Sequence, residues 1–191
     1  MSRFTSIELD PGVIRRLKEG DRKAQEIVYR AFANPVFTLA RRVLRDPALA
    51  EEAMQDTFVD VLSRANTLTR DRSFPAWVRS IAMNHCLMRL RSPWHRRREA
   101  LEFDERSTAA DAMDRAVDVD QALARLPATA RMVVWMHCIE GFTHEEIGKA
   151  FGYTASFSKT QLARAWAALA DARFGSGEQH NESETNRVCR A

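Results

Sequence analysis

Apolar residues recur along this chain at helical spacing, and no stretch shows the sustained β-branched alternation of a half-buried strand. Asp10 before Pro11 predicts a capped helix with proline at its first position. Val13, Ile14 and Leu17 give it an apolar face, and Gly20 ends it. Asp21 opens a second helix with Ala24, Ile27, Val28, Ala31 and Phe32 on one side. Asn34-Pro35 predicts an interruption or bend, after which the pattern resumes through Phe37, Leu39, Ala40, Val43 and Leu44. Asp46-Pro47 starts a third helix, reaching about Ala65, with Met54, Phe58, Val61 and Leu62 as its buried stripe. A polar loop at 66–73 precedes Phe74-Pro75, which opens a fourth helix carrying Trp77, Val78, Ile81 and Ala82 inward until Ser92-Pro93 breaks it. Residues 1–9 read as a loose arm.

Periodicity fades over residues 99–115, which turn acidic and read as a flexible linker. From Asp114 a helix with Val117, Ala122, Leu123 and Leu126 begins a second domain. After Leu126-Pro127 a helical pattern runs through Val133, Val134 and Ile139 to Gly141. Thr143-His144-Glu145-Glu146 has the form of a capping box. It predicts a short helix with Ile147, Ala150 and Phe151 inward, stopped at Gly152 in a left-handed cap. Ser156 is placed to cap a last helix whose apolar stripe is Leu162, Ala165, Trp166 and Leu169. Residues 175–191 are polar, lack an apolar face and are expected to be disordered. The expectation is an all-α protein: two small helical domains at 10–98 and 116–174, joined by a linker.

Composition narrows this. Hydrophobic residues make up 45% of the 191, ample for globular cores, while only 7 glycines and 6 prolines favour helices. A net charge of +3 conceals an asymmetry. Residues 1–98 carry 19 Lys/Arg against 11 Asp/Glu, whereas residues 99–125 carry 3 against 8. A basic half followed by an acidic tether suggests a polyanion as partner. No apolar run reaches the ~18 residues of a membrane span. Early Glu8 and Asp10 do not fit a signal peptide. Three cysteines (Cys86, Cys138, Cys189) without a CxxC pair suit a reducing, cytoplasmic setting.

Three surfaces carry candidate chemistry. On the third helix Glu52, Asp56 and Asp60 recur every four residues, with Glu51 and Gln55 beside them and no basic residue before Arg64. Like charges so spaced cost an isolated helix about 0.2–0.5 kcal/mol per pair. The stripe is either a solvated face or a docking face for a basic partner. The fourth helix shows Arg79, Asn84, His85 and Arg89 outward and leads into Arg91 and Trp94-His95-Arg96-Arg97-Arg98. Aromatic rings among arginines suit single-stranded nucleic acid, bases stacking while cations follow the backbone. Against this, Trp77 and Phe74 fit a core. The last two helices have helix-turn-helix spacing, and the second presents Ser158, Lys159, Thr160, Gln161 and Arg164 to a major groove. Three ordinary core helices with a solvated polar face would show the same pattern. A stand-alone dimeric helix-turn-helix regulator would account for the last helices but for neither other surface. His85-Cys86 and His137-Cys138 raise a metal or redox sensor, but adjacent residues on a helix point about 100° apart, awkward for one tetrahedral ion. No nucleophile–base set or phosphate loop stands out, so no catalytic residue, metal or cofactor is assigned.

Several segments in order resemble the bacterial RNA polymerase sigma factors of the extracytoplasmic-function group. They are Gly20-Asp21, the run from Ala50 to Phe58, Phe74-x-x-Trp77-Val78-Arg79-Ser80-Ile81-Ala82-Met83-Asn84, Ala124-Arg125-Leu126-Pro127, the run from Glu140 to Gly148, and Arg164-Ala165. The resemblance implies that Glu51, Glu52, Gln55, Asp56 and Asp60 dock on the clamp helices of the polymerase largest subunit. Asn84 with the loop before Phe74 would capture a base from the melted −10 element, and Trp77 and Arg79 would also contact that DNA. Arg89, Arg91, Arg96, Arg97 and Arg98 would hold that strand. Ser158, Lys159, Thr160, Gln161, Ala163 and Arg164 would face the −35 duplex, and the linker would thread the polymerase channel. An anti-sigma protein is a further implied partner, and some family members respond to phosphorylation, for which Thr57, Thr67 and Thr69 are ordinary candidates. The chain departs from the family in having Met88 where an aspartate is common, and Ser156-Phe157 where Gly-Thr usually starts the recognition helix. Ala163 is small where a bulkier reader occurs.

Overall fold

Aspartate side chains set where the first three helices begin. In a computed structural model, which describes residue 4, residues 6–68, 73–92 and 123–170 and the backbone of 171–174, Asp10 Oδ1 accepts from the Gly12 amide at 2.6 Å and starts α1 (Pro11–Lys18). Asp21 Oδ1 accepts from Ala24 at 2.7 Å and starts α2 (Arg22–Leu44). Asp46 Oδ1 serves Ala48 and Leu49 at 2.9 and 3.2 Å and starts α3 (Pro47–Ser63). Each carboxylate satisfies amides that have no partner inside the helix. A 3₁₀ turn at Ala65–Thr67 leads on to α4 (Phe74–Arg91), capped by Ser73. Among the described residues every regular element is helical.

The chain forms two compact units, Met1–Arg96 and Arg97–Ala191. In the first, α2 runs unbroken through Pro35, where an interruption was expected. The proline removes one amide donor, but Val28, Phe32, Val36, Leu39 and Val43 are all buried, and that packing holds both sides of it in one helix. Ile27, expected inside, is exposed. On α3 the deepest line is not Met54 and Leu62, which are half-buried, but Ala50, Ala53, Thr57 and Val61. Small side chains there let α3 lie close to its neighbours. Thr57 is fully buried and its hydroxyl donates to Ala53 O at 2.6 Å, so it is no phosphate acceptor in the folded state. Thr67 spends its hydroxyl on Arg64 O at 2.7 Å, and Thr69 lies outside the described residues.

Part of the expected loose arm is anchored. Phe4 is 2% exposed and stacks on Phe32, centroids 6.3 Å apart. Phe32 meets Phe74 edge-on at 5.6 Å, and Phe74 leans on Trp77 at 5.7 Å. A lone phenylalanine among polar residues gives no periodicity, so the sequence offered no sign of this plug. Lys18 Nζ also donates to Leu68 O at 2.9 Å, tying α1 to the segment before α4.

In the second unit, α5 (Ala128–Val134) continues into a π-helical turn over Trp135–Ile139. Buried Trp135 donates its ring N–H to buried Glu140 at 3.1 Å, and buried Arg131 donates to Leu126 O at 3.0 Å. Gly141, at φ +73°, turns the chain into α6 (His144–Phe151). Both halves of the expected capping box form between Thr143 and Glu146. Gly152 closes α6 at φ +74°, with Tyr153 N donating to Gly148 O at 2.8 Å. The last helix, α7 (Ala155–Phe174), starts one residue before the expected cap, so Ser156 lies inside its first turn. The start expected at Asp114, the linker 99–115 and the tail 175–191 lie outside the described residues. No described helix is long and apolar enough to cross a membrane.

Candidate nucleic-acid interface

Two surfaces gather the candidate residues. The first is the seam between α3 and α4. Glu51, Glu52, Gln55 and Asp56 are exposed along α3, while Asp60 is half-buried. The acidic stripe is not left to repel itself. Arg89 of α4 donates to Asp56 at 2.7 Å and lies 3.8 Å from Glu52. His85 Nε2 meets Asp60 Oδ2 at 2.9 Å, with Arg64 3.6 Å from the same oxygen. The offsetting charges, sought within α3, come mainly from across the seam. This revises two expectations. Arg89, whose side chain is 15% exposed, is held by its own protein's carboxylates rather than presented to a DNA strand. Asp60 faces α4 more than it faces outward.

On α4, Asn84 and Arg91 are exposed and Arg79 is half-buried. Trp77 is 8% exposed and packed in the aromatic row, so its ring faces are core and it offers no platform for a base. Met88, where the family commonly has an aspartate, is exposed. Arg96, Arg97 and Arg98 lie outside the described residues. Cys86 is fully buried, and burial pushes its thiol up to about 12, with Arg89 pulling weakly the other way. A thiol kept protonated is a poor metal ligand and a poor redox nucleophile. Among the described residues no group of three or more His, Cys, Asp or Glu could hold a metal ion.

The second surface is the α6–α7 pair. Its close packing is set by Gly148: a Cβ there would sit 2.5 Å from Thr154 O. Ser158, expected on the reading face, is fully buried, and its hydroxyl lies 3.0 Å from His144 Nδ1. It joins the helices instead of facing out, because it projects on the same side as buried Ala165, seven residues on. The His144 ring stacks on His137 with centroids 4.2 Å apart, and His137 Nδ1 donates to Phe142 O at 2.9 Å. Burial first, then His137 and Lys159, hold the His144 pKa below its ordinary value. The face left outward is Lys159, Thr160, Ala163 and Arg164, all exposed, with Gln161 half-buried beside them. Thr160 donates to Ser156 O at 2.9 Å and keeps acceptor capacity.

Sequence reasoning missed Tyr153, which is 63% exposed in the turn and stacks on Phe157 at 4.6 Å. Phe157 also meets Phe151 at 5.2 Å. Aromatic rings thus brace the start of α7 where Gly-Thr is usual.

The sigma-70 region 2 family matches residues 28–97, and the sigma-70 region 4 family matches residues 116–169. Among curated proteins, the chain is 32% identical over 137 residues to the ECF RNA polymerase sigma factor SigF of Caulobacter vibrioides, covering 69% of this chain and 74% of that one. It is 28% identical over 154 residues to the ECF sigma factor SigM of Mycobacterium tuberculosis, covering 79% and 78%. Two solved structures share the fold. CnrH in complex with the cytosolic domain of CnrY superposes with a TM-score of 0.53 at 19% identity, covering 86% of this chain and 97% of that one. The sigma factor RpoE in complex with the anti-sigma factor NepR from Bartonella quintana gives 0.53 at 17%, covering 80% and 98%. A match to both regions does not favour the stand-alone regulator. The chain belongs to the extracytoplasmic-function group of the sigma-70 family, factors that bind core RNA polymerase and direct initiation of transcription at specific promoters.

Proposed function

We propose a division of that work between the two units. Residues 10–98 grip core polymerase and the melted −10 strand; residues 116–174 read the −35 duplex; residues 99–115 connect them. The docking contact on polymerase is Glu51, Glu52, Gln55 and Asp56. Asn84 takes a base of the opened strand, with Arg79, Arg91 and the arginines at 96–98 near its phosphates. Lys159, Thr160, Ala163 and Arg164 meet the −35 element, with Gln161 at the edge. The observation that carries the reading is this outward row on α7, segregated from a closely packed α6–α7 interior. Such a helix fits a major groove, and its cation and hydroxyl suit base edges and phosphates.

The protein works in the cytoplasm beside polymerase and catalyses no reaction of its own. The RpoE–NepR complex supports an anti-sigma factor as a further partner. Reconstituted transcription with core polymerase tests the assignment. Asn84→Ala is expected to impair promoter opening and leave core affinity intact; loss of core affinity instead would refute the role given to Asn84. Arg164→Ala is expected to weaken −35-dependent promoters by roughly tenfold, the size of one good base or phosphate contact.

A further inference from the structure

The polymerase-facing carboxylates of α3 are joined to α4 by a ladder whose inner rung neither role explains. α3 and α4 run antiparallel along it: Asp60 pairs with His85 at 2.9 Å, and one turn away Asp56 pairs with Arg89 at 2.7 Å. The two rungs are each four residues apart on both helices, so they share a face of each. The Asp60–His85 rung is the more deeply set. Its side chains are 33% and 14% exposed, against 54% and 15% for Asp56 and Arg89. His85 Nδ1 is buried and has no hydrogen-bond partner. Nε2 faces a carboxylate oxygen, which only accepts, so Nε2 carries a proton and donates it to Asp60. A ring that gives up hydration at one nitrogen to keep one bond at the other is held for its orientation.

His85 is the residue next to Asn84, and neighbours on a helix point about 100° apart. Fixing the direction of His85 about the α4 axis therefore fixes the direction of Asn84. The second rung, through Arg89, stops α4 from turning about the first contact alone. We propose that Asp60 and His85 are positioning residues for promoter opening: their bond sets the rotation of α4 that presents Asn84 to the unpaired base. Asp60 is thus not a polymerase contact, although it stands in the acidic stripe. Its Oδ2 is taken by His85 and approached by Arg64 at 3.6 Å, and its side chain is 33% exposed against 54% for Asp56.

The inference rests on the reading of Asn84 as the base-capturing residue, and the test separates the two. The holoenzyme is assembled with wild type, Asn84→Ala, Asp60→Ala, His85→Ala, His85→Gln and the double variant Asp60→Ala/Asn84→Ala. Core affinity is measured by titration, and strand opening by permanganate reactivity of a duplex promoter. If Asn84→Ala opens normally, the base-capturing role falls and this inference falls with it. Given a defect there, Asp60→Ala and His85→Ala are each expected to slow opening about tenfold, the scale of one lost charge-assisted hydrogen bond, at unchanged core affinity. His85→Gln, which keeps a donor, is expected to recover most of the rate. Asp60→Ala is expected to add nothing in the Asn84→Ala background, because its effect passes through Asn84. Weakened core binding by Asp60→Ala, a full additional loss in the double variant, or normal opening by both Asp60→Ala and His85→Ala would each overturn the proposal.

Discussion

The seam between α3 and α4 and the pair α6–α7 solve the same problem in opposite ways. Both bring two helices together so that one presents polar groups to a partner. In α6–α7 the two tasks are kept apart. Gly148, Ser158 and Ala165 lie inside, while Lys159, Thr160, Ala163 and Arg164 lie outside. In α3–α4 they share residues: Asp56 is at once a candidate polymerase contact and the counter-charge of Arg89. A surface change on α7 should therefore touch function alone, whereas a change along the seam should touch function and fold together.

The largest expected effects break one unit at a time. Phe4→Ala would empty the space beside Phe32 and is expected to destabilise the first unit by about 3–5 kcal/mol. Urea unfolding with tryptophan fluorescence reports it, and Trp77 sits at the end of the affected aromatic row. A loss under about 1 kcal/mol would mean that the arm is not part of that core. Next is Gly148→Ala. The new methyl meets a backbone oxygen that cannot swing away, and overpacking of this kind costs about 1–3 kcal/mol. Protease resistance of residues 123–174 should fall while core affinity stays.

Smaller effects sharpen the contrast. Glu52→Gln with Asp56→Asn is expected to weaken core binding and also to lower stability, since Arg89 loses both carboxylates; unchanged core affinity would remove the docking role. Arg89→Ala is expected to lower stability by about 1 kcal/mol. Arg164→Ala, on the segregated face, should stay within about 0.5 kcal/mol of wild type in the same denaturation assay while losing promoter activity. Equal destabilisation by the two arginine variants would erase the difference between the surfaces. The smallest effect is with pH. The His144 pKa is lowered in the folded state, chiefly by burial, so the unfolded chain takes up the proton first. The α6–α7 contact is fully stable above the ordinary histidine value and loses stability as pH falls below it. His144→Gln should flatten that acid limb below about pH 6.5.

Local chemistry was readable in the chain. The caps at Asp10, Asp21, Asp46 and Thr143 appear where the sequence puts them, because a cap needs only a side chain and amides two or three residues away. The stop at Gly152 is equally local. What failed depended on distance. Pro35 reads as a break until packing on both sides overrides it. Ser158 reads as a donor to DNA until His144, fourteen positions earlier, is brought against it. Phe4 is an isolated apolar residue until α2 supplies Phe32.

The chain by itself determined its helices, their caps, its charge asymmetry and the motifs of its family, since all of these arise between residues a few positions apart. Which carboxylates face outward and which are bound inward was decided only when α4 was laid against α3. Asp60 and His85 are twenty-five residues apart, Asp56 and Arg89 thirty-three. No periodicity within one helix can record a partner supplied by another, because the pairing exists only once burial of the apolar faces has fixed how the two helices lie.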